Sequence, residues 1–170
     1  MPDTFIKIAS VTVGAGGAGS IAFTSIPSTY TDLCINFSIR TDTSTSGNGQ
    51  FLGVSFNSST ANFSRLWLFG TGSTTGSVAV SDQYMGYINP SNYTANTFGS
   101  GSMYIPNYAG STFKSMSVDT VVENNGTDAN MALVAGLRSN TAAITAISLI
   151  PLAGNIVQYS TATLYGIKNS

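Results

Sequence analysis

The chain has no histidine and a single cysteine, and this restricts most of the chemistry its side chains could perform. A Ser-His-Asp or Cys-His arrangement needs an imidazole to take the proton from its nucleophile, and the usual zinc sites need imidazoles or several thiolates. Neither can be assembled. The acids are Asp3, Asp32, Asp42, Asp82, Asp119, Glu123 and Asp128. No two of them form a motif, so a glycosidase pair would have to be brought together from distant loops. Asp82, Glu123 and Asp128, with backbone carbonyls, are the candidates for a calcium ion, but their spacing is not that of an EF-hand. No catalytic residue, metal site or cofactor is expected.

Cys34 stands in the alternating run Leu33-Cys-Ile-Asn-Phe-Ser-Ile39. With nothing to activate it, it reads as a buried or half-buried structural thiol. The bases Lys7, Arg40, Arg65, Lys114, Arg138 and Lys168 form no cluster, and nucleic-acid binding by phosphate neutralisation is not expected. The residues suited to binding are aromatic. Tyr84, Tyr87 and Tyr93 are grouped in polar surroundings, and an apolar ring with a polar tip suits an interface or a carbohydrate. The alternative is that they cover one end of a core. Trp67, the only tryptophan, reads as buried packing, with sugar stacking or an interface as its other role.

Charged residues make up 8% of the 170 residues, against roughly 25% in an ordinary soluble domain. The missing charge is replaced by Ser, Thr, Asn and Gly. With 11% aromatics and a net charge of -1, the composition is that of a folding chain and not a charge-driven disordered one. A nearly neutral, hydroxyl-rich surface favours association, as in a permanent assembly or an adhesive surface. The first ten residues lack the basic region and long apolar core of a signal peptide, and no apolar run approaches the ~20 residues of a membrane span. Synthesis in a reducing cytosol, with no membrane partner, is the expectation.

The elements that must position these residues read as short strands. Thr4 to Val13, Ser20 to Ile26, Leu33 to Arg40, Phe51 to Phe56 and Phe63 to Gly70 come first. Val78 to Val80 and Tyr84 to Ile88 are weaker. Phe98 to Ile105, Phe113 to Val122, Met131 to Leu137, Ala142 to Ile150 and Ser160 to Lys168 complete the pattern. The glycine run Gly14 to Gly19 lacks the helix and acidic residue of a dinucleotide loop and reads as a flexible hairpin connection. The loops Thr41 to Gln50, with its Asn48-Gly49 pair, and Asn124 to Asn130 read as turns. Ala142 to Ile150 is apolar on both faces, and the last run ends close to the terminus without fraying signals. Both are expected as central strands. About ten short antiparallel strands at this spacing predict an all-β, single-domain β-sandwich over residues 1–170, closer to a jelly roll with extra strands than to an immunoglobulin sandwich.

Four segments resemble a group of tailed-bacteriophage virion proteins frequent in phages of cyanobacteria and marine bacteria. They are Ile26-Pro-Ser-Thr-Tyr-Thr-Asp-Leu33, Asn96-Thr-Phe-Gly-Ser-Gly-Ser-Met-Tyr-Ile-Pro-Asn107, Gly136-Leu-Arg-Ser-Asn-Thr-Ala-Ala-Ile-Thr-Ala-Ile-Ser-Leu149 and Ser160-Thr-Ala-Thr-Leu-Tyr-Gly-Ile-Lys168. The resemblance spans most of the chain in matching order and carries no catalytic residues. It implies a structural component of the virion, a jelly-roll domain that decorates or cements the capsid. Its partners would be the major capsid protein and copies of itself, commonly as a homotrimer at a local three-fold position. Location would be the capsid surface after synthesis in the host cytoplasm. The alternative is a tail- or head-fibre module that binds host-surface carbohydrate through Tyr84, Tyr87, Tyr93 and Trp67. A purely architectural tail component is the third reading.

Overall fold

The computed structural model describes residues 4–47, 49–126 and 129–168. They form twelve strands and no helix. The strands are β1 (Phe5–Thr12), β2 (Ile21–Phe23), β3 (Asp32–Ile39), β4 (Gln50–Phe56), β5 (Phe63–Gly70) and β6 (Thr75–Val80). Then follow β7 (Tyr84–Ile88), β8 (Gly99–Ile105), β9 (Lys114–Glu123), β10 (Ala129–Arg138), β11 (Ile147–Pro151) and β12 (Thr161–Ile167). Two antiparallel sheets make a sandwich. One has eight strands in the order β1-β12-β3-β8-β9-β10-β5-β6, the other four in the order β2-β11-β4-β7.

That order is a jelly roll with insertions. Pairing the chain as one long doubled-over hairpin puts β1 against β12, β2 against β11, β3 against β8 and β4 against β7. Rolling this hairpin up places β12 beside β3 in one sheet and β11 beside β4 in the other. These eight strands are the roll. The hairpin β5-β6 is inserted between β4 and β7, and the hairpin β9-β10 between β8 and β11. The two insertions join through β10 and β5 and widen one sheet from four strands to eight.

Period-two patterning builds the core. On β3, Leu33, Ile35, Phe37 and Ile39 are buried. They meet Leu52, Val54 and Phe56 of β4 and Ile147 and Leu149 of β11 from the opposite sheet. The last strand is tied down as its sequence suggests, held between β1 and β3, although this leaves it one place from the sheet edge and not at the centre.

Several local expectations are corrected. Residues 142–146 form no strand. The Asn57 side chain accepts hydrogen bonds from the Thr145 and Ala146 N–H groups and donates one to the Ala143 carbonyl, which holds the segment out of the ladder until Ile147. Only one face of β11 is buried, while Ser148 and Ile150 on the other are half-exposed. The glycine run is not a hairpin: its strands β1 and β2 belong to opposite sheets. The chain turns at Gly17, with φ of 68° and its N–H bonded to the Gly14 carbonyl, and crosses over. The Asn48 side of the Asn-Gly turn and part of the Asn124 to Asn130 connection lie outside the described residues.

Gly101 on β8 marks how closely the extension packs on the roll. A Cβ there would lie 2.4 Å from Phe37 and 2.6 Å from the Asp119 carbonyl oxygen, a backbone atom that cannot swing away. At Gly14 the same Cβ would meet nothing within 4 Å. Gly101→Ala is expected to destabilise the fold by about 1–3 kcal/mol in urea unfolding, and Gly14→Ala by no more than ~0.5 kcal/mol.

Candidate functional site

Two features of the structure are unexplained by folding alone, and both lie on the four-strand extension. The first is the end of the inner face that the smaller sheet does not cover. Inward positions on β5 are Phe63, Arg65, Trp67 and Phe69, opposite Arg138, Gly136, Val134 and Ala132 of β10. One step further along β10 comes Asn130, in phase with Ala132 and Val134 and buried like them.

Arg65 is the fixed point of this region. Its Nε donates to Asp82 Oδ1 at 2.5 Å and its Nη2 to Asp82 Oδ2 at 2.9 Å, while the guanidinium lies 3.6 Å above the Trp67 ring. Asp82 Oδ1 also accepts the Tyr84 N–H at 3.0 Å. One carboxylate therefore locks the turn from β6 into β7 onto β5. Asp82 is thus occupied by an ion pair and Glu123 accepts the Asn125 N–H at 2.6 Å, while Asp128 lies outside the described residues. Among the described residues no three His, Cys, Asp or Glu side chains gather into a metal-binding group. Asp32 accepts hydrogen bonds from the Tyr104 hydroxyl and the Asn107 N–H, and Asp42 from the Asn155 N–H.

Three of the four aromatic candidates come together here, around Phe51. Tyr87 stacks on Phe51 with centroids 4.7 Å apart, while Trp67 and Tyr84 each approach it to 5.6 Å. Tyr93 does not belong to the group. It is 4% exposed, in the β7–β8 connection, where the buried Arg40 guanidinium donates to the carbonyls of Ser91, Tyr93, Thr94 and Thr97. Burial raises the Tyr87 pKa, opposed by the Arg65 charge and the Asn130 amide.

Phe51, Trp67, Phe69 and Tyr87 line a groove of about 340 Å³, completed on its polar side by Thr71 and Asn130. Trp67 and Asn130 are 8% and 4% exposed, yet Trp67 Nε1 and Asn130 Oδ1 have no hydrogen-bond partner among the described residues. A buried donor or acceptor left in this state costs ~1–3 kcal/mol. Sequence reading missed Phe51, Phe69 and Asn130. Asn130 belongs to β10 and not to the turn expected over Asn124 to Asn130; its signal is a polar residue in phase with the inward positions of the strand.

The second feature is the outer face of the same strands. Outward positions carry the larger side chains of β10, with Met131 64% and Leu133 56% exposed, while Ala132, Val134 and Gly136 face the core. Leu133 lies opposite Leu68, itself 54% exposed, and Met131 lies opposite Val121. Leu66 and Leu137 extend the patch. Cys34 is buried on this side of β3, near Ser102 Oγ at 3.8 Å, and desolvation raises its pKa.

No protein-family model matches the chain, and no curated protein or solved structure matches it either.

The Arg65–Asp82 pair generates a prediction. Asp82→Asn leaves a buried guanidinium against an uncharged partner, and the expected loss is about 3 kcal/mol of unfolding free energy in urea denaturation. Asp42→Asn, at an exposed loop contact, serves as the control with a loss below ~1 kcal/mol.

Proposed function

We propose that the protein is a non-enzymatic structural component of a virion, a decoration protein that docks on the capsid through the outer face of β5, β9 and β10. The observation that carries this reading is the inverted patterning of β10. A strand in a solitary domain points its larger apolar side chains inward; here Met131, Leu133 and Leu137 point out, and Leu66 and Leu68 continue them on the neighbouring strand. Apolar patches of this kind mark interaction surfaces. Burying leucines that are about half exposed contributes roughly 1–1.5 kcal/mol each.

Further support comes from charge. The face contains no basic residue and carries two acids on β9, Asp119 opposite Leu133 and Glu123 near its end, so it suits a partner surface that is apolar with a basic rim. The occupant is a capsid subunit of the expanded head, the source suggested by the resemblance to phage virion proteins, with further copies of this chain at the same local symmetry axis. Binding to the expanded lattice alone stabilises that lattice by linkage.

Co-sedimentation with purified heads that lack the protein tests this. The parent chain is expected to bind saturably, and the double variant Leu68→Ser with Leu133→Ser about a hundredfold more weakly, because both leucines are exposed in the free fold and their loss removes only interface burial. Equal binding by parent and variant, or binding to host cells with none to heads, contradicts the proposal.

A further inference from the structure

The geometry points to a second site, independent of the outer face: the groove beside Trp67 binds a short neutral saccharide. Four observations converge on that chemistry. The groove is walled by aromatic rings and, at about 340 Å³, falls at the small end of the ~300–1,000 Å³ range of ligand sites. None of its lining residues is charged; Arg65 sits behind Trp67 and is already paired with Asp82. A charged ligand would enter with no counter-charge to meet it.

The two buried polar atoms narrow the class further. Trp67 Nε1 is a donor and Asn130 Oδ1 an acceptor, both without partners among the described residues and both on side chains that line the groove. A purely apolar ligand would leave both unpaired. Both atoms are closed to solvent in the empty groove, so a ligand reaches them only by displacing their side chains; a sugar hydroxyl, which both donates and accepts, then pairs with both while the pyranose lays its C–H face against rings. Phe51 is enclosed by Tyr87, Tyr84 and Trp67, so the rings available for that contact are the half-buried Phe69 and Tyr87. Trp67 is not the stacking platform: it is 8% exposed and carries the Arg65 guanidinium on one face. Its contribution is the indole N–H.

The groove exists because β5 and β6 reach past β7, the edge of the smaller sheet. Val78 of β6 stands at its rim, 38% exposed. Substitution there can block entry without disturbing the core.

Trp67 is the chain's sole tryptophan, so emission excited at wavelengths beyond the absorption of the eight tyrosines reports this groove alone. Titration uses glucose, galactose, mannose, N-acetylglucosamine and their β-linked disaccharides, with glucuronate and N-acetylneuraminate as charged comparisons. The expected result is a saturable change in Trp67 emission with at least one neutral sugar and none with the acidic ones. Asn130→Leu, similar in shape, removes the unpaired acceptor together with the amide's contact to Tyr87, and is expected to bind about tenfold more weakly with a melting temperature close to the parent's. Val78→Arg, which alters only an exposed side chain, is expected to abolish the response. An unresponsive neutral panel overturns the proposal. So does binding that both substitutions leave unchanged, or an acidic sugar that binds as tightly as a neutral one.

Discussion

Four strands cannot cover eight. The smaller sheet of this sandwich packs over the roll and reaches β9 and β10 at its β7 edge, but β5 and β6 lie beyond it. The groove and the aromatic cluster around it follow from that mismatch. The uncovered inner face has no opposing sheet to exclude water, so bulky side chains from both sheets close it: Trp67 and Phe69 from β5, Phe51 from β4 and Tyr87 from β7. A cation is built into the closure, and its charge is balanced within hydrogen-bonding distance by Asp82. Closure is incomplete at the Asn130 end, and the residual space is the groove.

Charge is used inside the fold more than on its surface. Four of the six basic residues, Arg40, Arg65, Lys114 and Arg138, are buried. Only Arg65 is paired with a carboxylate among the described residues. Arg40 and Lys114 are held by backbone carbonyls instead. Arg40 organises the β7–β8 connection, and Lys114 Nζ donates to the carbonyls of Gly110, Thr112 and Thr141, tying the β8–β9 loop to the segment after β10. Charge-assisted hydrogen bonds of this kind contribute ~1.5–3 kcal/mol each, which helps offset desolvation. Burial, with Arg138 nearby, lowers the Lys114 pKa accordingly. Three of the six cations, Arg40, Arg65 and Lys114, thus fix loops or turns, and Lys7 and Lys168 are left exposed.

Local patterning made the strands legible. Leu33, Ile35, Phe37 and Ile39 announce β3, and the all-β class and the jelly-roll character with additional strands follow from alternation and turn residues, while the expected count of about ten falls short of the twelve strands found. What alternation cannot reveal is which face is which. Met131 to Leu137 reads as a strand in either orientation, and only the neighbours of β10 decide that Ala132 and Val134 face inward. The same ambiguity hid Asn130. Nonlocal contacts explain the other departures: the Ala142 to Ala146 run is strand-like in sequence, but Asn57, 88 residues away from Thr145, captures its backbone. The aromatic candidates were partly legible because tyrosines near each other in sequence share a strand, as Tyr84 and Tyr87 do. Tyr93 falls beyond the strand end, in a connection governed by Arg40.

The central claim is that the outer face of the extension is covered in the assembled particle. Oxidation footprinting of methionine reads this directly, because Met131 is 64% exposed whereas Met85, Met103 and Met116 are buried in the core. The account predicts rapid sulfoxide formation at Met131 in the free protein and strong protection of the same residue in intact particles. Equal oxidation of Met131 in both would show the face open in the assembly and contradict the account.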